Sequence, residues 1–319
     1  MYRSFLVPLD GSLPSEQALH YATALARRSG AALHLAYVHS PLLLGEGAMY
    51  LGTPDVQLWE EEKKYLQGVV NRLKKAGVAN VRGTILEGPI VESLQEHALN
   101  EKCDLVVMTT HGRGPVSRFW LGSVADQLVH RLPIPLLLIR TREEALPPAK
   151  EPEIRNILVA LDGTPAAEQI LEPVGELARL VDASCTLLRV VPAVAPPNEQ
   201  AKQYGWTYDR VEPEVVLPSE APAPTGSDLA DKLRAEAHVY LRRMAGSLRE
   251  RGIHAQERII ASDHPATAIL NESADREYDL LALETHGRHG LPRLFLGSVA
   301  DKVVRGASLP VLVHRCLPG

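Results

Sequence analysis

Thr110-His111-Gly112-Arg113, followed by Leu121-Gly122-Ser123-Val124-Ala125-Asp126, returns as Thr285-His286-Gly287-Arg288, followed by Leu296-Gly297-Ser298-Val299-Ala300-Asp301. The second passage lies 175 residues after the first, and in each nine residues separate the two glycines. A matching pair stands nearer the start of each copy. Val7-Pro8-Leu9-Asp10-Gly11-Ser12, with Glu16-Gln17 behind, answers to Val159-Ala160-Leu161-Asp162-Gly163-Thr164, with Glu168-Gln169 behind, 152 residues on. Two ordered blocks, each present twice, mean that the chain is a tandem duplication. Its 319 residues suit two domains better than one core.

The offsets differ by 23 residues, so the second copy holds that much extra chain between its blocks. The place for it is 192–226, where Pro192, Pro196, Pro197, Pro213, Pro218, Pro222 and Pro224 forbid a helix or a central strand. A polar stretch, Arg142-Glu143-Glu144 with Pro147-Pro148-Ala149-Lys150-Glu151-Pro152, marks a linker. The expected division is a first domain over 1–141, a linker over 142–153 and a second domain over 154–316.

Each copy alternates short apolar runs with helical patterns. Phe5–Leu9, Ala32–Val38, Val81–Leu86, Asp104–Met108 and Ile134–Ile139 read as strands, and Pro14–Arg28, Val56–Lys75, Ile90–Leu99 and Val124–His130 as helices. The second copy repeats the strands near Ile157–Leu161, Thr186–Val191, Ala255–Ile260, Leu280–Leu283 and Pro310–His314. Alternating units of this kind predict an α/β fold, with a five-stranded parallel sheet flanked by helices in each domain. Ligands of such folds sit beyond the C-terminal strand ends, where the strand order reverses. That directs attention to the chain after Leu9, Val38 and Met108.

Composition narrows the function classes. The net charge of −5 gives no general attraction to nucleic acid or to an anionic membrane. No apolar run approaches the ~20 residues of a spanning helix, and the start of the chain does not read as a secretion signal. Cys103, Cys185 and Cys316 are far apart, form no CxxC pair and predict ordinary thiols rather than a metal site.

The loop after the fourth strand has the chemistry of an anion cradle. A glycine without Cβ lets backbone N–H groups approach an oxyanion. A helix start offers further N–H groups and the positive end of the helix dipole. Ser123 can cap the helix or donate its hydroxyl to a phosphate oxygen, and Arg113, Arg118, Arg288 and Arg293 add local positive charge. On these residues alone, a plain turn at Gly112 and a plain cap at Ser123 explain the pattern equally well.

The two repeated blocks resemble the universal stress proteins over 1–140 and 154–316. ATP-binding members of that family carry Gly, two residues, Gly, nine residues, then Gly and Ser or Thr, and an early strand ending in Asp. The resemblance implies two tandem Rossmann-like domains of the adenine nucleotide alpha hydrolase-like kind. It also implies ATP as ligand, with Mg²⁺ accompanying the phosphates, and a cytoplasmic stress-response role. Carried over, Pro8, Asp10 and Val38 would meet adenine, and Met108 and Thr109 would lie beside the ribose. Gly112, Arg113, Gly122, Ser123 and Val124 would hold phosphate. The weaker second set is Asp162, Val190, Gly287, Gly297, Ser298 and Val299. Asp10 has a competing role as an Asx turn before its helix.

The motif's first glycine is Thr109 in the first copy and Glu284 in the second. A bulky anion where phosphate should bind makes the first copy the better nucleotide site, unless Glu284 pairs with Arg288 or another base. No GxSxG, GxxxxGK[ST], HxGH or SGGxDS sequence occurs, so a binding module is favoured over an enzyme. The remaining alternatives are a slow ATPase and a scaffold of the same fold. The apolar fifth strands, Leu136–Ile139 and Val311–Val313, predict pairing of sheet edges, either within one chain as a pseudo-dimer or between two chains.

Overall fold

The computed structural model describes residues 2–40, 52–110, 121–141, 151–193, 226–275, 278–285 and 297–315. In the first half, β1 (Ser4–Leu9), β2 (Ala32–His39), β3 (Val81–Glu87), β4 (Leu105–Thr109) and β5 (Leu136–Ile139) alternate with four helices. These are α1 (Leu13–Ser29), α2 (Gly52–Lys75), α3 (Ile90–Asn100) and α4 (Ser123–Arg131). In the second half, β6 (Asn156–Ala160), β7 (Ser184–Val191), β8 (Ala255–Ala261), β9 (Leu280–Glu284) and β10 (Val311–His314) repeat the scheme. Its helices are α5 (Pro165–Glu168), α6 (Leu171–Val181), α7 (Gly226–Glu250), α8 (Pro265–Asp275) and α9 (Ser298–Gly306). The linker residues 142–150 and the insertion residues 194–225 lie outside the described residues.

All ten strands form one sheet in the order β3-β2-β1-β4-β5-β10-β9-β6-β7-β8. Pairing is parallel within each half. Between the halves β5 and β10 run antiparallel, with Leu136, Leu137 and Leu138 opposite Val313, Leu312 and Val311. The apolar fifth-strand edges thus pair within the chain. Because the direction flips there, the C-terminal strand ends of the two halves face opposite rims of the sheet.

Strand order explains strand composition. The inner strands β4, β5 and β9 are buried at every residue, and they are apolar runs broken only by Thr109 and Glu284 at their C-terminal ends. The outermost strands β3 and β8 are mostly half-buried or exposed, and they accommodate Arg82, Glu87, Glu257 and Arg258. Alternation divides the core into two layers. Phe5, Val7 and Leu9 face one and Leu6 the other, and each layer contains residues of both halves. The halves therefore share a core.

Contacts beyond the sheet tie them further. The Tyr2 hydroxyl donates to the Pro173 carbonyl at 2.9 Å, and Arg28 donates to the Val181 carbonyl at 3.3 Å. The two halves differ at the helix after the first strand. α1 is one helix of 17 residues, but its counterpart breaks into α5 and α6. Pro173 accounts for the break: it has no N–H, and its ring would clash with the carbonyl four residues back, at Gln169. Tyr21 holds the matching place in α1.

Candidate functional site

The order β3-β2-β1-β4-β5 reverses between β1 and β4, and the second half reverses between β6 and β9. Folds of this kind place a crevice at such a reversal, on the side of the C-terminal strand ends. In the first half the turn after β1 is set by Asp10. Its Oδ1 accepts from the Ser12 amide at 3.0 Å and from the Ser12 hydroxyl at 2.6 Å, an Asx turn. Ser12 then caps α1 by accepting from the Ser15 amide at 3.3 Å. The second half repeats this with Asp162, Thr164 and Ala167, at 2.9, 2.6 and 3.2 Å. The turn glycines Gly11 and Gly163 have φ of 81° and 86°, where a Cβ is disfavoured.

A second repeated device brings the helix that starts at the Gly-Ser pair to the fourth strand. The Thr110 amide donates to the Ile139 carbonyl at 2.9 Å, and the Gly122 amide donates to the Thr110 carbonyl at 2.7 Å. In the second half the Thr285 amide donates to His314 and the Gly297 amide to Thr285, both at 3.0 Å. α4 and α9 therefore start beside the ends of β4 and β9. Neither first turn has a side-chain cap, unlike α1 and α5, and Ser123 and Ser298 are exposed there.

The fold thus gathers Pro8, Asp10, Val38, Met108, Thr109, Gly122, Ser123 and Val124 along one rim. Met108 is buried in one layer and Thr109 lies among the buried residues of the strand end. Val38 and Val124 pack partly buried against the layer that holds Met108. Asp162, Val190, Gly297, Ser298 and Val299 gather in the same way in the second half. Gly112, Arg113 and Gly287 lie outside the described residues, as do His111, His286, Arg118, Arg288 and Arg293.

The two crevices differ in chemistry. In the second, Glu284 is buried, with 1% of its side chain exposed. Its Oε2 is 2.8 Å from His314 Nδ1, and its Oε1 accepts from the Thr285 amide at 3.3 Å. Among the described residues, the base seen to meet Glu284 is His314. The matching pair in the first half is Thr109 beside Ile139. On the next wall, the Tyr37 and Tyr65 rings meet edge to face at 6.1 Å in the first half. In the second half Arg189 stacks over Tyr240 at 5.1 Å and lies against the Gly163 turn, where an added Cβ would come within 2.7 Å of its guanidinium carbon. Aligning the Tyr37 strand on the Arg189 strand through the repeat reveals this exchange; the motif positions alone do not.

A cavity of about 430 Å³ lies between the halves, lined by Tyr2, Asp104, Glu172, Glu176, Pro173 and His314 among others. Its carboxylates make it unsuited to a polyphosphate. Burial raises the pKa of Asp104, while amide hydrogen bonds from Arg3 and Ser4 oppose that rise. Cys103 and Cys185 are buried free thiols; burial raises the first and pushes the second up to about 12. Among the described residues no group of three His, Cys, Asp or Glu is placed to hold a metal ion, and no helix is long and apolar enough to cross a membrane.

Fold and site together define a tandem α/β protein with two related crevices, each at a strand-order reversal and each opened by a Gly-Ser helix start. The family model of the Universal stress protein family matches residues 1–140 and 153–315, and the chain belongs to that family. A universal stress protein of Mycobacterium tuberculosis H37Rv is 29% identical, with 97% of this chain and 96% of that protein covered. A shorter one from Thermus aquaticus is 31% identical over 144 residues, 44% of this chain and all of that protein. The crystal structure of a universal stress protein from Archaeoglobus fulgidus shares the fold, with a TM-score of 0.65, 19% identity, and 98% and 96% of the two chains covered.

Proposed function

We propose that this protein is a cytoplasmic, adenine-nucleotide-responsive regulator in stress tolerance, and that its first half holds ATP while its second half is degenerate. Asp10 and Val38 would take the adenine and Met108 and Thr109 the ribose side, with Pro8 in the floor. The first turn of α4, at Gly122, Ser123 and Val124, would receive the phosphates with Gly112 and Arg113. Mg²⁺ would arrive on the phosphates, whose oxygens are its natural ligands. The role is binding rather than turnover.

One observation carries the preference for the first half. At the strand end beside the helix start it has Thr109, where the second half has a buried carboxylate held by His314. The free thiols of Cys103 and Cys185 support a reducing compartment. The Glu284–His314 pair and the Arg189 wall favour a structural or interaction role for the second half.

Calorimetry of the full chain with ATP tests the reading. Gly122 and Gly297 have φ of −58° and −54°, which any residue adopts, so Gly122→Val and Gly297→Val obstruct one crevice each without backbone strain. The expected result is one ATP per chain, lost in Gly122→Val and kept in Gly297→Val. Absence of binding, or loss in Gly297→Val alone, would overturn it.

A further inference from the structure

Arg305, in the last turn of α9, is held by two aspartates. Its Nε donates to Asp301 Oδ1 at 2.7 Å within α9, and its Nη2 donates to Asp126 Oδ1 of α4, also at 2.7 Å. Asp126 and Asp301 are the same position in the two copies, each in the first turn of a helix that starts at a crevice. One guanidinium therefore touches the first turns of both phosphate-loop helices. In α4 the counterpart of Arg305 is His130, whose Nε2 is 3.9 Å from Asp126.

The far end of α9 is fixed by the first half as well. Arg140, directly after β5, donates to the carbonyls of Val304 and of Arg305, the latter at 2.5 Å. Its neighbour Ile139 accepts the Thr110 amide, and Thr110 in turn accepts the Gly122 amide. The start of α9 opens the second crevice, while its end rests on two residues wired to the first. Asp126 lies three residues beyond Ser123 on a helix of nine residues, so ordering of the first turn of α4 acts directly on the grip on Arg305.

We propose that α9 reads the occupancy of the first crevice through Arg305, so that a nucleotide bound there tightens α9 and the rim of the second crevice. Arg305 acts as a positioning residue. The proposal rests on nucleotide binding by the first half. A half-exposed ion pair limits the effect to about two- to fivefold in an equilibrium, and linkage makes it reciprocal.

Hydrogen exchange of α9 in the full chain, with and without ATP, tests this in the wild type, Asp126→Asn and Arg305→Gln. Calorimetry on the same samples records ATP binding. The expected result is that ATP slows exchange in 298–306 about two- to fivefold in the wild type. Both variants should still bind ATP and lose that protection. Binding without protection in the wild type, or protection that survives both substitutions, overturns the coupling alone. A wild type that binds no ATP overturns the nucleotide reading and the coupling with it.

Discussion

Thr109→Glu, alone and with Ile139→His, transplants the second half's strand end into the first. Thr109 is 6% exposed and Ile139, opposite it in the sheet, is 2% exposed. Ile139, its neighbour in the sheet, offers no charge to pair with a carboxylate there, and an uncompensated buried charge costs about 3–5 kcal/mol. The thermal midpoint should fall by roughly 6–20 °C at about 2–4 °C per kcal/mol. Adding histidine at 139 recreates the partnership of Glu284 with His314, set at 2.8 Å in the second half, and should restore much of the loss.

ATP affinity separates the electrostatic effect from the folding effect. A carboxylate about 4 Å from a phosphate repels it by about 1 kcal/mol in water and about 4 kcal/mol at an effective dielectric constant near 20. That corresponds to binding weakened by about fivefold to about a thousandfold. The double variant, refolded in stability, should still bind more weakly than the parent in calorimetry at neutral pH and fixed salt. If it binds ATP as tightly as the parent, the Glu–His pair is not what distinguishes the crevices. The reciprocal change, Glu284→Thr with His314→Ile, should raise affinity in the second half without equalising the two, because Arg189 still lies on the Gly163 turn.

Three further outcomes follow from the packing. His34 and His97, whose rings meet at 6.2 Å, are both held below the ordinary histidine pKa, chiefly by burial. The unfolded chain takes up those protons first, so their stability is present above about pH 6.5 and lost as pH falls through the folded-state values. Denaturant midpoints should drop on acidification, and His34→Leu with His97→Phe should flatten the drop. Gly83→Ala should cost about 1–3 kcal/mol by overpacking, because its Cβ would stand 2.8 Å from Leu66 Cγ and 3.0 Å from Val70 Cγ2; thermal melts measure it. Leu137→Ala, fully buried opposite Leu312, should cost about 2–5 kcal/mol in urea unfolding. Unfolding should remain a single transition because both halves share each core layer.

The sheet was legible in the sequence because strands covered on both faces read as apolar runs, as at 105–108 and 280–283. Strand boundaries shift by a residue or two where polar ends complete a ladder, as Ser4, His39 and Glu87 do. The anomaly of Glu284 was equally legible, but its resolution was not. His314 lies 30 residues away and becomes its neighbour only once β9 and β10 pair. The same limit hid Asp104 and Asp279, which take the amides at the start of β1 and β6 from about 100 and 124 residues away. An aspartate before a strand has no signature of its own; the recurrence of the bond in both halves shows that it is part of the fold.

Fusion of the two copies in one chain permits this asymmetry. In a symmetric pair of identical chains, a glutamate at the strand end would spoil both crevices at once, and an arginine at the end of the helix would appear on both sides of the axis. Here the sequence positions are independent. Thr109 stands at one strand end, while Glu284 stands at the other beside His314. Arg305 meets both aspartates, while His130 stands at its counterpart position. The shared sheet holds both rims on one frame, so the two halves can differ at their strand ends and keep their positions. If the first half binds nucleotide as proposed, a second half fixed to it through Arg305 is suited to report on it, and that is why α9 is where the reporting should be measured.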